Sequence, residues 1–371
     1  MSVGEPGTSV VVTELGESPL EAIEQSLRVQ PQPPPDPAEL APTDVVIAVR
    51  SAAVNWVDLL MTSGQYQHVP EPPYTPGMEY AGTVAWRGDA VDGVDVGDDV
   101  LVDGLLTGPR SLGDHRRWGG FASYAVAPAE AVIPKPEALS FDEAATLLGA
   151  YETAYHCLLT RGQLRAGEVV LIHGASGSTG LAAVHLAKLA GATVIATGRS
   201  PEKLDVVRAE GADHVVCTGE AAGGLDALRP AVKSLTDGRG VDVVYDPVGG
   251  DLSVASLRCV AFGARFLIVG WAATPFVAKG KGGRGAPRAN VLPTNLIMMK
   301  GLDVRGCPAA ISAHRDPLMR AERRARVLAW ARDGKVAPRV AKTFALDDIV
   351  DALKAKWRSD AVGNVVVHPA G

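Results

Sequence analysis

Cysteine is scarce in this chain, and its spacing excludes a common kind of scaffold. The four cysteines, Cys157, Cys217, Cys259 and Cys307, lie far apart among 371 residues and form no CxxC pair. A disulfide framework needs a denser set. We therefore interpret all four as small buried side chains and expect the protein to work in a reducing cytoplasm.

Long apolar runs and an excess of positive charge are also missing. No run of about 18 apolar residues occurs, so no membrane span is predicted, and the start MSVGEPGTSV lacks the features of a secretory signal. With 36 basic and 42 acidic side chains, the net charge is −6, which argues against a nucleic-acid partner. The length fits about two domains.

The first part of the chain is rich in turn signals. The stretch PQPPPDPAEL (31–40) is too dense in proline for a helix or a central strand, so residues 1–40 are predicted to be an extension with a loop. Short strands are then predicted at 44–55, 83–86, 98–103 and 121–128, separated by Gly and Asp. This spacing favours an irregular all-β unit.

The pattern changes at Ser140. Ser140 and Glu143 form a capping box in front of a helical stretch that runs to about residue 159. Apolar strands at 168–173, 192–197, 214–218, 241–246 and 265–270 then alternate with amphipathic helices, the last of them at 252–262. This alternation predicts a parallel sheet covered on both faces. Residues 271–292 are predicted to be a loop, after which a strand, a helix and a strand rejoin the first domain.

The most informative segment is a glycine-rich loop between a buried strand and a helix. The stretch LIHGASGSTGLAAVHLAK carries Gly174, Gly177 and Gly180. Glycine at these positions permits a tight turn, close backbone approach to a pyrophosphate, and close packing of helix on strand. The helix N-terminus offers N–H groups and a positive dipole end to phosphates. In this context the motif predicts a dinucleotide site, although a purely structural turn has the same pattern.

The residues after the next strand bear on which dinucleotide binds. NAD enzymes place Asp or Glu there to bind the ribose 2′-hydroxyl, but this chain reads TGRSPEK (197–203). Arg199, Ser200 and Lys203 suit a 2′-phosphate, because they supply a two-pronged donor, a hydroxyl and a point charge. Glu202 falls inside the next helix. We therefore predict NADPH, with solvated charges at a helix start as the alternative.

Together with other segments, this loop resembles the zinc-free quinone oxidoreductase (zeta-crystallin-like) branch of the medium-chain dehydrogenase/reductases. The matching segments are AAVNWVDLLMTSGQY (52–66), PYTPGMEYAGTV (73–84), VGDDV (96–100), GGFASYAV (119–126), LSFDEAATLLGAYETAYHCL (139–158), VDVVYDPVGG (241–250) and PTNLIMMKG (293–301). The resemblance implies an α/β protein. Its GroES-like domain would span 41–146 and 294–371, and its Rossmann domain, with a doubly wound parallel sheet, 147–293.

The resemblance also bears on metal binding. Zinc alcohol dehydrogenases of this superfamily hold catalytic zinc with residues whose positions correspond to Asn55, Met78 and Gly149. Zinc needs thiolate, imidazole or carboxylate ligands, which these three do not supply. Residues 96–118, where a structural zinc lobe would lie, contain no cysteine. We therefore predict no metal, and hydride donation to an electrophilic acceptor rather than alcohol oxidation.

The resemblance implies a set of site residues. The predicted catalytic residues are Tyr66, as a donor to the enolate or quinone oxygen, and Asn55, as a hydrogen-bonding group for ribose or substrate. A packed aromatic and a turn-stabilising amide are the alternatives, and Asp58 is interpreted as structural. The predicted cofactor-binding residues are Gly174, Ala175, Ser176, Gly177, Ser178, Thr179, Gly180, Arg199, Ser200, Lys203, Thr153, Gly249, Gly270, Trp271 and Asn295.

Two positive segments leave the acceptor open. One holds His115, Arg116 and Arg117, and the other Lys279, Lys281, Arg284 and Arg288. They are either solvated loop charges or receptors for an anionic tail such as that of CoA.

We predict an NADPH-dependent oxidoreductase that transfers hydride to a quinone or to the activated double bond of an α,β-unsaturated carbonyl compound. Its partners would be that small molecule and, by analogy with relatives, a second copy in a homodimer, with no nucleic acid and no membrane. An enoyl-CoA reductase of the acryloyl-CoA type and a non-catalytic NADPH-binding protein are the alternatives.

Overall fold

The computed structural model describes residues 4–66, 69–274 and 290–369. The described residues divide into two compact units, the first at 4–149 and 328–369 and the second at 150–274 and 290–327. The predicted positive loop residues Lys279, Lys281, Arg284 and Arg288 lie outside the described part of the chain.

The first unit is built on a mixed seven-stranded sheet. Its strands are β3 (Asp44–Ala53), β4 (Tyr80–Arg87), β5 (Asp99–Val102), β6 (Tyr124–Pro128), β7 (Val132–Pro134), β14 (Val340–Ala345) and β15 (Asn364–His368). They are ordered β14-β15-β3-β4-β5-β7, and β6 pairs with β3. The helices of this unit are α1 (Pro19–Gln25), α2 (Trp56–Thr62), α3 (Phe141–Ala145) and α12 (Ile349–Trp357). The predicted return of the chain's last strand to this sheet is confirmed, because β15 pairs with β3.

The prediction that residues 1–40 form an extension with a loop is wrong. Strands β1 (Gly7–Val12) and β2 (Leu27–Gln32) pair antiparallel on either side of α1. Val10, Val12 and Ile23 are fully buried in the core that also holds β3. The Gln32 amide extends the pairing, since it accepts from Tyr124 N at 2.9 Å and donates to Tyr124 O at 2.8 Å. The proline run begins only where β2 ends, so it says nothing about the apolar residues before it.

The second unit contains a six-stranded parallel sheet, which confirms the predicted α/β fold. Its strands are β8 (Val169–Ile172), β9 (Thr193–Gly198), β10 (His214–Cys217), β11 (Val241–Asp246), β12 (Val260–Ile268) and β13 (Asp303–Gly306), in the order β10-β9-β8-β11-β12-β13. The helices that follow α3 are α4 (Leu147–Tyr155), α5 (Ser178–Leu189), α6 (Pro201–Ala209), α7 (Leu228–Leu235), α8 (Gly250–Ser256), α9 (Thr294–Lys300), α10 (Ala309–Arg315) and α11 (Pro317–Arg332).

Three boundaries differ from the predicted ones. The helix predicted from residue 140 is broken into α3, α4 and a π-helical turn at His156–Arg161, although the Ser140–Glu143 capping box is present. The helix predicted at 252–262 ends at Ser256, because Val260 already pairs with Val241 in the sheet. The predicted return to the first domain at residue 294 comes too early, since β13 pairs with β12.

The strand order reverses beside the glycine-rich loop. β8 lies between β9 and β11, and the chain reverses its direction of winding there. In open parallel sheets, ligands bind at the carboxyl ends of the strands where the order reverses. The carboxyl ends of β8, β9, β11 and β12 lead directly into the predicted cofactor residues.

Candidate dinucleotide and active sites

The glycine-rich loop has the geometry that its sequence predicts at two of its three glycines. Gly174 has φ +57°, a left-handed conformation that favours glycine. A Cβ at Gly180 would overlap the carbonyl oxygen of Gly174 and lie 2.7 Å from Ala175 Cα. Gly177 is the N-cap of α5 and has more room, because the nearest atom to its Cβ would be 3.4 Å away. The loop therefore packs closely against the start of α5.

The N-terminus of α5 is available to an anion. Its N-cap, Gly177, has no side chain to bond the first N–H groups, and the helix begins at Ser178. Ser178, Thr179 and Gly180 thus open the helix, at the end where its dipole is positive. Ser176 precedes them in the turn, and Ala175 is buried. This arrangement suits a diphosphate.

Asp246, which the sequence analysis did not select, shapes the neighbouring strand end. It is fully buried at the end of β11, and its Oδ1 accepts from Val248 N and Gly249 N at 2.9 Å each. Its Oδ2 accepts from the Ser253 hydroxyl. These bonds fix the turn into α8, in which Gly249 has φ +78°. An acidic residue at a strand end, followed by two glycines, was the available signal.

The turns after β11 and β12 meet at this edge. A Cβ at Gly249 would lie 3.1 Å from Trp271 Cα, and one at Gly270 would lie 3.2 Å from Pro247 O. Trp271 is 49% exposed, so its indole face is accessible. The structure thus brings Gly249, Gly270 and Trp271 close together, and the contacts involve their backbone atoms rather than reactive side chains.

A different asparagine from the predicted one reaches these turns. Asn290 Oδ1 accepts from Gly250 N at 3.3 Å, and its Nδ2 is 3.4 Å from Ser253 Oγ. The predicted Asn295 is exposed in the first turn of α9. Because Asn290 lies in a stretch without a regular pattern, only the folded chain reveals its position.

The end of β9 carries the three residues predicted to hold a 2′-phosphate. Arg199 is exposed directly after the strand. Ser200 is the N-cap of α6: its Oγ accepts from Lys203 N at 3.3 Å and donates to Glu202 Oε2 at 2.6 Å. That bond lowers the pKa of Glu202. Ser200 therefore already has a capping role, and of the three only Arg199 and Lys203 bring positive charge.

Thr153 lies on a helix that is held firmly in the second unit. Its neighbour Glu152 is buried and forms ion pairs with Arg320 at 3.0 Å and Arg323 at 2.9 Å. Tyr151 Oη lies 2.6 Å from His185 Nδ1 on α5. These contacts tie α4 to the helix that follows the glycine-rich loop, and Thr153 itself is half-buried between them.

In the first unit, Asn55 is part of a buried polar group. Its side-chain Nδ2 donates to Glu79 Oε2 at 3.0 Å, and its backbone N donates to Asp58 Oδ2 at 2.9 Å. Glu79 Oε1 also accepts from Gly149 N. A Cβ at Gly149 would overlap Glu79 Oε2 and lie 2.7 Å from Glu79 Oε1, so this close approach requires glycine. Glu79 is a residue that the sequence analysis missed, although it follows Met78 in a matching segment.

Burial shifts the pKa values of the ionisable side chains in this group. It raises the pKa of Asp58 to about 7, and the nearby Glu79 adds to the rise. Burial lowers the pKa of Lys356 to about 8, against the opposing effect of Asp58 and Glu79. Lys356 lies on α12, which is held against α2 by stacking of Trp357 on Trp56, with ring centroids 5.4 Å apart. Both groups therefore change charge near neutral pH.

The donors around Asn55 do not fit a zinc ion. Asn55 and Gly149 present N–H groups to Glu79, and both Glu79 oxygens accept from them. Met78, the remaining residue, is buried and offers a thioether. Within 4–66, 69–274 and 290–369, no three His, Cys, Asp or Glu side chains are grouped so that they could hold a metal.

The remaining predicted site residues are Tyr66 and the first positive segment, and part of that segment already contacts other side chains. Tyr66 is half-buried beyond the end of α2, and its catalytic role stays a prediction. In the first positive segment, His115 Nε2 lies 2.8 Å from Asp44 Oδ1, and the Arg117 guanidinium lies 5.3 Å from the Trp118 ring centroid.

Among the described residues, no helix is long and apolar enough to cross a membrane.

Comparisons with known proteins agree with this architecture. The alcohol dehydrogenase GroES-like domain matches residues 41–137, and the zinc-binding dehydrogenase family matches residues 178–315. A quinone oxidoreductase-like protein 2 homolog of Nematostella vectensis is 32% identical over 331 residues, which cover 89% of this chain and 82% of the relative.

Solved structures give the same result. A probable oxidoreductase from Mycobacterium abscessus has a TM-score of 0.78 at 27% identity, covering 98% of this chain and 100% of its own. A mycobacterial protein complexed with NADPH has the same score, identity and coverage.

Proposed function

The chain belongs to the quinone oxidoreductase branch of the medium-chain dehydrogenase/reductase family and is an oxidoreductase, and from that premise we propose that it binds NADPH and reduces a quinone or an enone without zinc. The observation that carries the proposal is the glycine-rich loop at the point of strand reversal. Gly174 needs its left-handed φ there, and Gly180 leaves no space for a side chain.

Different residues bind the diphosphate and the 2′-phosphate in this proposal. The amides of Ser178, Thr179 and Gly180 hold the diphosphate at the start of α5. Arg199 holds the 2′-phosphate through charge-assisted hydrogen bonds, each worth about 1.5–3 kcal/mol. Similarity to a structure complexed with NADPH supports this choice. The exposed carboxylate of Glu202 is bonded to Ser200 and so is turned toward the helix cap.

When bound, NADPH supplies the hydride, and the protein must position the acceptor and deliver a proton. Reduction of an enone adds one hydride and one proton, and reduction of a quinone adds a hydride and a proton to give the hydroquinone. Asn55, oriented by Glu79, presents its amide to ribose or substrate. Tyr66 donates a proton or hydrogen bond to the developing oxyanion.

A titration of cofactor fluorescence tests the dinucleotide assignment. We expect NADPH to bind more tightly than NADH, and Arg199→Ala to weaken NADPH binding by about 10- to 100-fold while leaving NADH nearly unchanged. Arg208→Ala is the matched control, because Arg208 is likewise an exposed arginine but lies in the last turn of α6 and pairs with Asp205. Equal losses for both cofactors in Arg199→Ala would refute the assignment.

A panel of acceptors tests the reaction. NADPH oxidation is followed with benzoquinone, an enone and an enoyl-CoA side by side. Turnover of the quinone or enone supports the proposal, and turnover of the enoyl-CoA alone, with a KM that rises with salt, replaces it with the acyl-CoA alternative. NADPH binding without turnover of any acceptor would leave only the non-catalytic alternative.

A further inference from the structure

A fully buried histidine lies directly before the glycine-rich loop. His173 follows β8, has 0% exposure, and its backbone N donates to Tyr245 O at 3.0 Å. Its side-chain Nδ1 lies 2.8 Å from Thr197 Oγ1 on β9, and its Nε2 lies 2.6 Å from Ser256 Oγ at the end of α8. One imidazole therefore joins the ends of two neighbouring strands to a helix of the same unit.

The hydrogen bonds around this ring run in one direction. Ser256 has a single hydroxyl hydrogen, which it donates to Leu252 O at 2.6 Å. Ser256 Oγ therefore accepts from His173 Nε2, which must carry the ring hydrogen. The Nδ1 atom then has a lone pair and accepts from the Thr197 hydroxyl. Burial lowers the pKa of His173, so the ring is neutral at neutral pH and keeps this arrangement.

Thr197 connects the imidazole to both parts of the proposed dinucleotide site. Its carbonyl oxygen accepts from Ala175 N of the glycine-rich loop at 3.1 Å, while its hydroxyl bonds the imidazole. Two residues later, Arg199 follows the end of β9. The backbone at this point is also held from the side of β10, because Thr218 N donates to Gly198 O at 2.8 Å. The loop proposed for the diphosphate and the arginine proposed for the 2′-phosphate are thus linked through one threonine.

We propose that His173 is a positioning residue that fixes the spacing between the glycine-rich loop and Arg199, and that it thereby strengthens the preference for NADPH over NADH. This inference rests on the proposed function. Both cofactors would place the same diphosphate on the amides of α5, but only NADPH has a 2′-phosphate for Arg199. Hydrogen bonds to a phosphate depend on distance and angle. A displacement of the end of β9 relative to the loop therefore weakens NADPH binding more than NADH binding.

Thr197→Val tests the inference without replacing the buried ring, because valine resembles threonine in shape but cannot donate to Nδ1. We expect the Kd of NADPH, measured by cofactor fluorescence, to rise about ten-fold and that of NADH about two-fold. Thr197→Ser keeps the hydroxyl and should bring both values to within about two-fold of wild type. Equal losses for the two cofactors in Thr197→Val, or no loss, would overturn the inference.

A double-mutant cycle separates positioning from a general loss of structure. If Thr197 acts through Arg199, Thr197→Val should no longer change the ratio of the NADPH and NADH Kd values in an Arg199→Ala background. A ratio that still changes about five-fold there would contradict the proposed link.

Thr236→Val is the matched control for stability. Thr236 is also a buried threonine of the second unit, and its hydroxyl donates to Val232 O at 2.8 Å. It lies between α7 and β11, at the amino end of that strand and thus at the opposite edge of the sheet. This variant should lower the melting temperature and leave both Kd values unchanged. A changed ratio here as well would show that the ratio follows stability, and the inference would fail.

Nitrogen NMR of protein labelled in its histidines reads the ring directly. We expect a His173 signal with the hydrogen on Nε2 and a hydrogen-bonded Nδ1, whose resonance shifts in Thr197→Val; the opposite tautomer in wild type would overturn the inference. The wild-type titration distinguishes this failure from that of the proposed function. Wild type that binds NADPH no more tightly than NADH would overturn the proposed function and the inference with it, whereas a preference that Thr197→Val preserves would overturn the role of His173 alone.

Discussion

At the carboxyl edge of the six-stranded sheet, the groups proposed to bind the dinucleotide are backbone amides of α5, with the exposed Arg199 and the half-buried Lys203 after β9. In the first unit, Asn55, Asp58, Glu79 and Lys356 form a group in which two buried carboxylates lie near a half-buried ammonium. In the first region an added side chain has no space. In the second, removal of one side chain leaves the groups that it contacts without a hydrogen-bonding or charged partner. A small added group should therefore harm the first, and loss of a hydrogen-bonding partner the second.

The largest effect is expected at Gly180. Gly180→Ala places a Cβ against Gly174 O and Ala175, both parts of the loop backbone, so the loop must shift. Displacement of the binding amides by about 1 Å should weaken NADPH binding about 100-fold. Gly177→Ala is the matched control and should cost less than about three-fold, because its φ is −79° and its nearest neighbour is 3.4 Å away. Equal effects of the two variants would show that space is not what the loop requires.

Glu79→Ala should damage the first unit in the opposite way, by leaving donors unpaired. Asn55 Nδ2 and Gly149 N both lose their acceptor, and Lys356 loses a nearby negative charge. We expect the free energy of unfolding, measured by urea denaturation, to fall by about 2–3 kcal/mol. Glu130→Ala, at an exposed glutamate of the same unit, should change it by less than about 0.5 kcal/mol. An unchanged midpoint for Glu79→Ala would mean that these donors find water.

Asp58 should make stability depend on pH. Its folded pKa of about 7 lies above the ordinary value of 3.8, so between these values the folded state keeps a proton that the unfolded state loses. This contribution is complete below about pH 4 and is lost as the pH rises through 7. Asp58→Asn, which stays neutral, should therefore gain stability relative to wild type from pH 4 to pH 7. A difference between the two proteins that is constant with pH would show that Asp58 ionises normally.

A smaller effect on NADPH binding should distinguish Asn290, at the turns after β11 and β12, from Asn295 on α9. Asn290→Ala should raise the NADPH KM a few-fold, because Gly250 N and Ser253 lose a partner beside Gly249. Asn295→Ala, on the exposed first turn of α9, should have less effect. The reverse order would restore the role that the sequence analysis assigned to Asn295.

The same contrast explains what the sequence could reveal. The glycine-rich loop, the capping box at Ser140 and the strand alternation of the second unit are local patterns, and each is present, although β12 begins earlier than predicted and β13 adds a sixth strand. The group around Glu79 joins residues far apart in the chain, and no local spacing links Asn55 to Lys356. Likewise, Gln32 meets Tyr124 only in the folded chain. The strands β1 and β2 were missed for a different reason, because the proline run that follows them was taken to describe the whole of 1–40.

The position of β15 has a consequence for the order in which the protein is made. This strand pairs with Ala52 and Ala53 of β3, yet it is translated after every residue of the six-stranded sheet. On the ribosome, the edge at this end of β3, beyond the residues that pair with β6, stays unpaired while the second unit emerges and can fold first. An unpaired edge is a place where nascent chains associate. Slow translation between residues 306 and 364 would therefore prolong exposure to chaperones, and aggregation during expression should begin in the unit that starts first and is completed last.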